Sequence, residues 1–372
     1  MNRNQKISLA WLSSAGIPAD TLQHLLAEEP DPEQLLARFR REGERPLREE
    51  IPQSALRLLT NHAEKGMLET WGRMIDRFDI NAVTCTEDPY PSRLRGMPEA
   101  PAILFYQGTL SALDQPTVSM VGSRNASTKG TEACRKIAEE LSRNGIAVIS
   151  GLAYGIDAAA HQGCLKGKSP TIAVLGCGLD QEYPADHAGL RRQIIERGGL
   201  VLSEYTPGEK PLGWHFPWRN RIISGLGDCL AVMEARIRSG SMTTVQHALN
   251  QGKDIFVYPG EPGSLRSEGN HQLLREGAIY FTCAADLMED MNWLDKTAEV
   301  EQNTVLRAED RPDASPAEKQ VLLALDRGEL SFDQLCEKLN MNAALLSATL
   351  SMMQISGLIR ALPGKRYEKI QG

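Results

Sequence analysis

Along residues 1–85 the apolar positions recur every three or four residues. Ile7, Leu9, Trp11 and Leu12 form one group; Leu22, Leu25 and Leu26 a second; Leu35, Leu36 and Phe39 a third. Leu56, Leu58 and Leu59, then Trp71, Met74, Ile75 and Phe78, continue the series. Each group makes one stripe of a short helix. Gly16, Pro18, Pro30, Pro32 and Pro52 separate the stripes, because neither glycine nor proline continues a helix cheaply. The pattern predicts a helical domain over 1–85. Ser14-Ala15-Gly16-Ile17 between two of its helices suggests a SAM-like or helix-hairpin-helix bundle, although any small helical bundle fits the same spacing.

Residues 86–295 change character. Continuous apolar, β-branched runs at 117–121, 147–150, 171–175, 200–203, 230–233, 255–258 and 278–281 alternate with helix-length segments at 131–143, 157–166, 188–196 and 242–250. Runs that are apolar at every position belong to strands buried on both faces. Their alternation with helices predicts an α/β fold: a Rossmann-like, doubly wound, mostly parallel sheet with right-handed crossovers. Residues 296–314 are polar, acidic and aperiodic, and read as a linker.

Residues 315–372 return to helical spacing. Ser315 and Ser331 stand as N-caps, and Val321-Leu322-Leu325, Phe332-Leu335-Leu339 and Leu346-Leu350-Met353 give three stripes. Residues 357–367 then read as a hairpin with a basic turn. Three helices and a hairpin make a winged-helix-like pattern. Its second and third helices carry few cations, which weighs against a duplex-DNA reader and leaves protein contact open.

A chain of 372 residues suits two or three domains. Its net charge of -7 excludes an indiscriminate polyanion binder but leaves room for a local basic groove. The seven cysteines are scattered without a CxxC, and the seven histidines without an HxxxH pair, so neither a disulfide framework nor a metal site is expected. No apolar run reaches the roughly 18 residues of a membrane span. Met1-Asn2-Arg3-Asn4-Gln5-Lys6 leads into no cleavage signal, and the expected location is cytoplasmic.

The chemistry concentrates in Trp214–Gly225, where three large aromatics and two arginines fall within eight residues, 214–221. Aromatic faces stack on nucleobases and guanidinium groups pair with phosphates. Alone, the segment also reads as an ordinary helix entrance, with Pro217 in the first turn and Ile222 and Ile223 in the core. Its surroundings favour the first reading. In a doubly wound sheet ligands sit outside the carboxyl ends of the strands. There the sequence places Gly122-Ser123-Arg124, Gly151-Leu152-Ala153-Tyr154-Gly155, Gly176-Cys177-Gly178, and Glu234-Ala235 followed by Arg236, Arg238 and Ser239-Gly240-Ser241. Small residues let backbone N–H groups approach an anion, and helix N-termini add partial positive charge. The set describes a long phosphate-tracking edge. The dinucleotide fingerprint and the P-loop are both absent, so no nucleotide cofactor and no ATPase activity are expected. Asp157 and His161, four apart, read as a helix-start carboxylate and a packing residue. Glu234 is the more suspicious carboxylate, or else an orienter of Arg219 or Arg221.

Together these residues resemble the DNA-processing protein A family (DprA, also called Smf). The carrying motifs are Val121-Gly122-Ser123-Arg124, 150–157 with His161, and Phe216-Pro217-Trp218-Arg219-Asn220-Arg221-Ile222-Ile223-Ser224-Gly225-Leu226. Glu234-Ala235, Ser239-Gly240-Ser241 and Ser267-Glu268-Gly269-Asn270 follow in order, and Asp88-Pro89-Tyr90-Pro91 and 104–108 precede. The resemblance covers about 86–285. It implies an extended Rossmann-like domain that binds single-stranded DNA, forms a homodimer, performs no catalysis, and helps load the RecA recombinase, as in natural transformation. It implies that Gly122, Ser123, Arg124 and Gly151 face phosphates, that Phe216 stacks on a base, and that Arg219, Asn220 and Arg221 line the groove. Ser239, Gly240, Ser241, Gly269 and Asn270 would complete an anion cradle. The sequence departs from the family at 127–130, at Met242 and Thr243, and at His187. A nucleotide-processing phosphoribohydrolase-like enzyme is the alternative, but its glutamate position holds Gln246, and an amide moves no proton. A nucleotide sensor on the same crevice is a third reading.

Overall fold

A computed structural model describes residues 1–42, 51–60, 65–97, 99–293, 316–325, 330–339, 341–342, 346–347, 349–350, 353, 359–362 and 366–369. The chain divides into two compact units, Met1–Met291 and Asn292–Gly372.

The first unit is built on nine strands: β1 (Asn81–Thr84), β2 (Ile103–Gly108), β3 (Thr117–Val121), β4 (Ala147–Ser150), β5 (Thr171–Val174), β6 (Leu200–Ser203), β7 (Cys229–Val232), β8 (Asp254–Val257) and β9 (Ile279–Tyr280). They lie in the order β1-β2-β6-β5-β4-β3-β7-β8-β9. β3 to β9 pair in parallel, while β1 and β2 extend one edge antiparallel. The chain moves outward from β3 to β6, then returns to β7 on the other side of β3. This reversal puts the topological switch point between β3 and β7. All residues of β3 to β7 are buried, as uninterrupted apolar runs require.

β1 and β2 are not among the seven expected strands. β1 is too short to show a period, and Gln107 interrupts β2, where its side chain donates to Phe78 O and accepts from Arg191.

Helices α1 (Arg3–Ser14), α2 (Ala19–Glu28), α3 (Pro32–Glu42), α4 (Gln53–Thr60) and α5 (Lys65–Arg77) match the five stripes. Their apolar faces join the sheet in one core: Leu9, Trp11, Leu26 and Phe39 cluster with Ile103, Phe105, Ala173 and Val201. Helices α6 (Thr128–Arg143), α7 (Ile156–Cys164), α8 (Ala188–Glu196), α9 (His215–Leu226), α10 (Gly240–Asn250), α11 (Glu268–Arg275) and α12 (Ala284–Asp290) complete the unit. Pro217 sits in the first turn of α9, where its missing N–H costs nothing. Ile222, Ile223 and Leu226 fasten α9 to a second core with Ile149, Val174 and Leu230.

In the second unit, helices Pro316–Leu325 and Phe332–Leu339 pack with an antiparallel sheet of Leu330–Ser331, Arg366–Lys369 and Ile359–Leu362. Ser331 Oγ accepts from Gln334 N at 3.3 Å while Gln334 Oε1 accepts from Ser331 N at 2.8 Å, a reciprocal cap. The expected linker, Ser315 and the basic turn at 363–365 lie outside the described residues. Among the described residues no helix is long and apolar enough to cross a membrane.

Candidate nucleic-acid interface

The carboxyl ends of β3, β4, β5 and β7 meet through close backbone contacts. A Cβ on Gly122 would lie 2.5 Å from Ile156 Cγ1 and 3.0 Å from Glu234 O, so only glycine lets β3 turn between α7 and the β7 loop. Ser123 N donates to Glu234 O at 2.6 Å, bridging the switch point, and Ser123 O accepts from Ile156 N at 3.2 Å. Arg124, next along, is exposed. Its guanidinium carbon stands 5.1 Å from the centroid of the Phe216 ring, a cation–π contact.

Phe216 is half-buried at the mouth of a small crevice shared with Arg124, Gly151, Tyr154, Gly176, Tyr183 and Arg219. Gly176 makes room for its ring: a Cβ there would fall 2.9 Å from Phe216 Cδ1. Tyr183 packs on the same ring, with centroids 5.4 Å apart. An exposed cation over a partly open phenyl ring provides both halves of a strand-binding contact.

Of the two arginines of α9 expected to line the groove, Arg219 lines the crevice from beneath and Arg221 is enclosed in the interior. Arg219 is 3% exposed and lies on the crevice floor. Its Nη1 donates to Gly151 O at 3.0 Å and to Val174 O, tying the ends of β4 and β5 together. Its Nε is buried without a partner. Burial pulls its pKa down, opposed by the nearby Asp157 carboxylate. Gly151 is held to glycine by the same packing, since a Cβ would stand 2.7 Å from both Arg219 Nη2 and Asp157 Oδ2. Arg221 is 1% exposed. It makes a two-pronged ion pair with Glu204, at 2.7 Å and 2.6 Å, and donates to Glu99 O at 3.0 Å. The reason is helical rotation: residues two apart do not share a face. Phe216 and Arg219, three apart, turn towards the strand ends, whereas Arg221 turns into the interior.

The expected anion cradle also divides. Asn270 is fully buried, accepts from Ala235 N at 2.7 Å, and donates to the carbonyls of Tyr258, Met233 and Val232. It clamps β7 to β8 and has no donor left for a phosphate. Gly269 is a packing glycine, with a Cβ position 2.7 Å from Ala235 O. Ser239, Gly240 and Ser241 remain at the N-terminus of α10, between exposed Arg236 and Arg238 and the half-buried Asn220, whose Nδ2 donates to Gly240 O at 3.2 Å. The Ser239 hydroxyl is buried without a partner.

Glu234 orients neither arginine. Its carboxylate accepts from Ser127 Oγ at 2.6 Å and Ser127 N at 2.9 Å, anchoring the cap of α6. Asp157 is buried, and burial raises its pKa although Arg219 opposes the shift. His161 is fully buried, its Nδ1 2.7 Å from Thr171 Oγ1. Gln246 is exposed, and its amide donates along the helix to Asn250.

Tyr154 and Tyr183 are the site residues that the sequence reading did not single out. Both sit in aperiodic loops, and only their position after β4 and β5 points to them.

A family model for DNA recombination-mediator protein A matches residues 81–292, and one for the DprA winged helix domain matches 306–365. The chain belongs to the DNA recombination-mediator protein A family. It is a DNA-processing protein with a Rossmann-like sheet and a C-terminal winged helix. The family match begins at Asn81, the first residue of β1. DNA processing protein DprA of Streptococcus pneumoniae is 44% identical over 207 residues, 56% of this chain and 73% of that one. The X-ray structure of DprA from that organism covers 78% of this chain and 98% of its own, with a TM-score of 0.64 and 34% identity. The structure of DNA processing protein A from Helicobacter pylori, reported for its single-stranded DNA binding mode, covers 58% and 97%, with a TM-score of 0.51 and 28% identity.

Proposed function

We propose that this family member binds single-stranded DNA in the crevice over the ends of β4 and β5. Phe216 stacks on a base, Arg124 meets an adjacent phosphate, and the N-terminus of α10 with Arg236 and Arg238 receives the strand further on. The observation that carries the reading is the exposed Arg124 guanidinium held over the half-buried Phe216 ring. The strand-binding relative from Helicobacter pylori supports it.

In this reading the protein is a non-enzymatic mediator in the cytoplasm that works as a homodimer and hands coated strands to RecA. Two features favour mediation over catalysis. Glu234 is tied to Ser127, and Gln246 stands where a phosphoribohydrolase needs an acid.

The test is a salt series of binding isotherms for single-stranded and duplex oligonucleotides, with RecA nucleation rates followed in parallel. Tighter binding to single strands, a linear fall of log affinity with log salt, and faster nucleation are expected. Equal affinity for both DNA forms, or nucleation unchanged by the protein, would count against it.

A further inference from the structure

Beside Phe216 the crevice presents an aromatic ring from another loop. Tyr154 is 44% exposed, yet both ends of its side chain are restrained. Its hydroxyl donates to Asp186 Oδ2 at 2.9 Å. Its ring meets His187 edge to face, with centroids 4.9 Å apart. His187 is itself fixed, its Nδ1 donating to Leu152 O at 2.8 Å. Tyr183 packs on Phe216 and lines the same crevice as Tyr154. An exposed ring that has already lost its rotamer freedom sacrifices little entropy on receiving a ligand. A flat apolar face with its polar tip already satisfied fits the π-face of a nucleobase.

We infer that Tyr154 is a second stacking platform, so that the crevice takes two neighbouring bases, one on Phe216 and one on Tyr154. The inference rests on the single-strand reading above and specifies its register. Because every base has a π-face, the two platforms tolerate any sequence.

The experiment is fluorescence anisotropy with a labelled thymidine oligonucleotide of about 15 nucleotides, near the upper end of known single-strand site sizes. Wild type is compared with Phe216→Leu, Tyr154→Leu and Tyr154→Phe. Quenching of a 2-aminopurine base in the same oligonucleotide provides a stacking signal. Tyr154→Leu should bind about five- to a hundred-fold more weakly and lose part of the quenching. Tyr154→Phe keeps the ring and should stay close to wild type. If Tyr154→Leu matches wild type while Phe216→Leu is impaired, the second platform is wrong and the single-strand reading stands. Should Tyr154→Phe fall as far as Tyr154→Leu, the hydroxyl rather than the ring is responsible and the inference also fails. Absence of binding by wild type overturns both.

Discussion

The guanidinium of Arg124 lies 5.1 Å from the centroid of the Phe216 ring, and both side chains face the same crevice. The pair separates two contributions to strand binding. Phe216→Leu should lose stacking worth about 1–3 kcal/mol with a similar salt slope. Arg124→Ala should reduce the magnitude of the slope of log affinity against log salt by about 1, because one counterion-releasing contact disappears. Both side chains reach the surface, so urea unfolding should change little. Identical salt slopes for wild type and Arg124→Ala would remove Arg124 from the phosphate path.

Arg221 has a different role. It is enclosed, and its partner Glu204 is 13% exposed at the side chain. Removing one member of such a pair strands the other charge, at a cost of about 3–5 kcal/mol. Arg221→Met should therefore lower the urea midpoint strongly. Arg221→Met combined with Glu204→Leu should recover much of the loss, since apolar replacement of a buried pair is often neutral. A normal midpoint for the single variant, with weakened DNA binding, would return Arg221 to the groove.

The sheet was legible because Val118, Ile149, Val174 and Val201 belong to strands buried on both faces, and such runs are continuous in any order of folding. The helical stripes of 1–85 were legible for the same periodic reason. β1 and β2 were not, being an edge extension with a polar break at Gln107. At the candidate site, Arg124 was picked out by its place after a strand and Phe216 by the aromatic–arginine segment, and the structure brings the two to one crevice. The roles of Arg219, Arg221 and Asn270 could not. Their composition suits a phosphate, but Arg219 is spent on the carbonyls of Gly151 and Val174 beneath the crevice, the rotation of α9 turns Arg221 inward, and the packing of α11 on β8 encloses Asn270. The aromatic loop residues carried no periodic signal at all.

Asn270 supplies a test of that distinction. Its amide oxygen satisfies one N–H, and its two N–H donors are shared among three carbonyls at the ends of β7 and β8. Asn270→Ala leaves the buried Ala235 N–H without an acceptor and should cost about 1–3 kcal/mol. Denaturant melts should show the loss. Strand affinity, measured at a temperature where the variant is folded, should stay near wild type. Loss of affinity with unchanged stability would restore Asn270 to an anion cradle.

His161 makes the stability of the first unit depend on acid. Thr171 Oγ1 donates to Val148 O at 2.7 Å, so His161 Nδ1 is the donor to Thr171, and Nε2 is buried without a partner. Burial, reinforced by the proximity of His187 and Arg219, pushes the pKa of His161 down to about 3 from 6.5. The unfolded chain thus takes up a proton near 6.5 that the folded chain refuses until about 3. The stabilisation is complete above pH 6.5 and is lost as pH falls towards 3, by up to about 1.4 kcal/mol per unit. Asp157, whose pKa burial raises, acts in the opposite direction, so the contribution must be isolated by difference. Urea unfolding at pH 7, 6 and 5 (chosen to bracket the unfolded histidine) should show a shallower decline for His161→Gln than for wild type. Parallel declines in the two proteins would mean that His161 does not set this acid dependence.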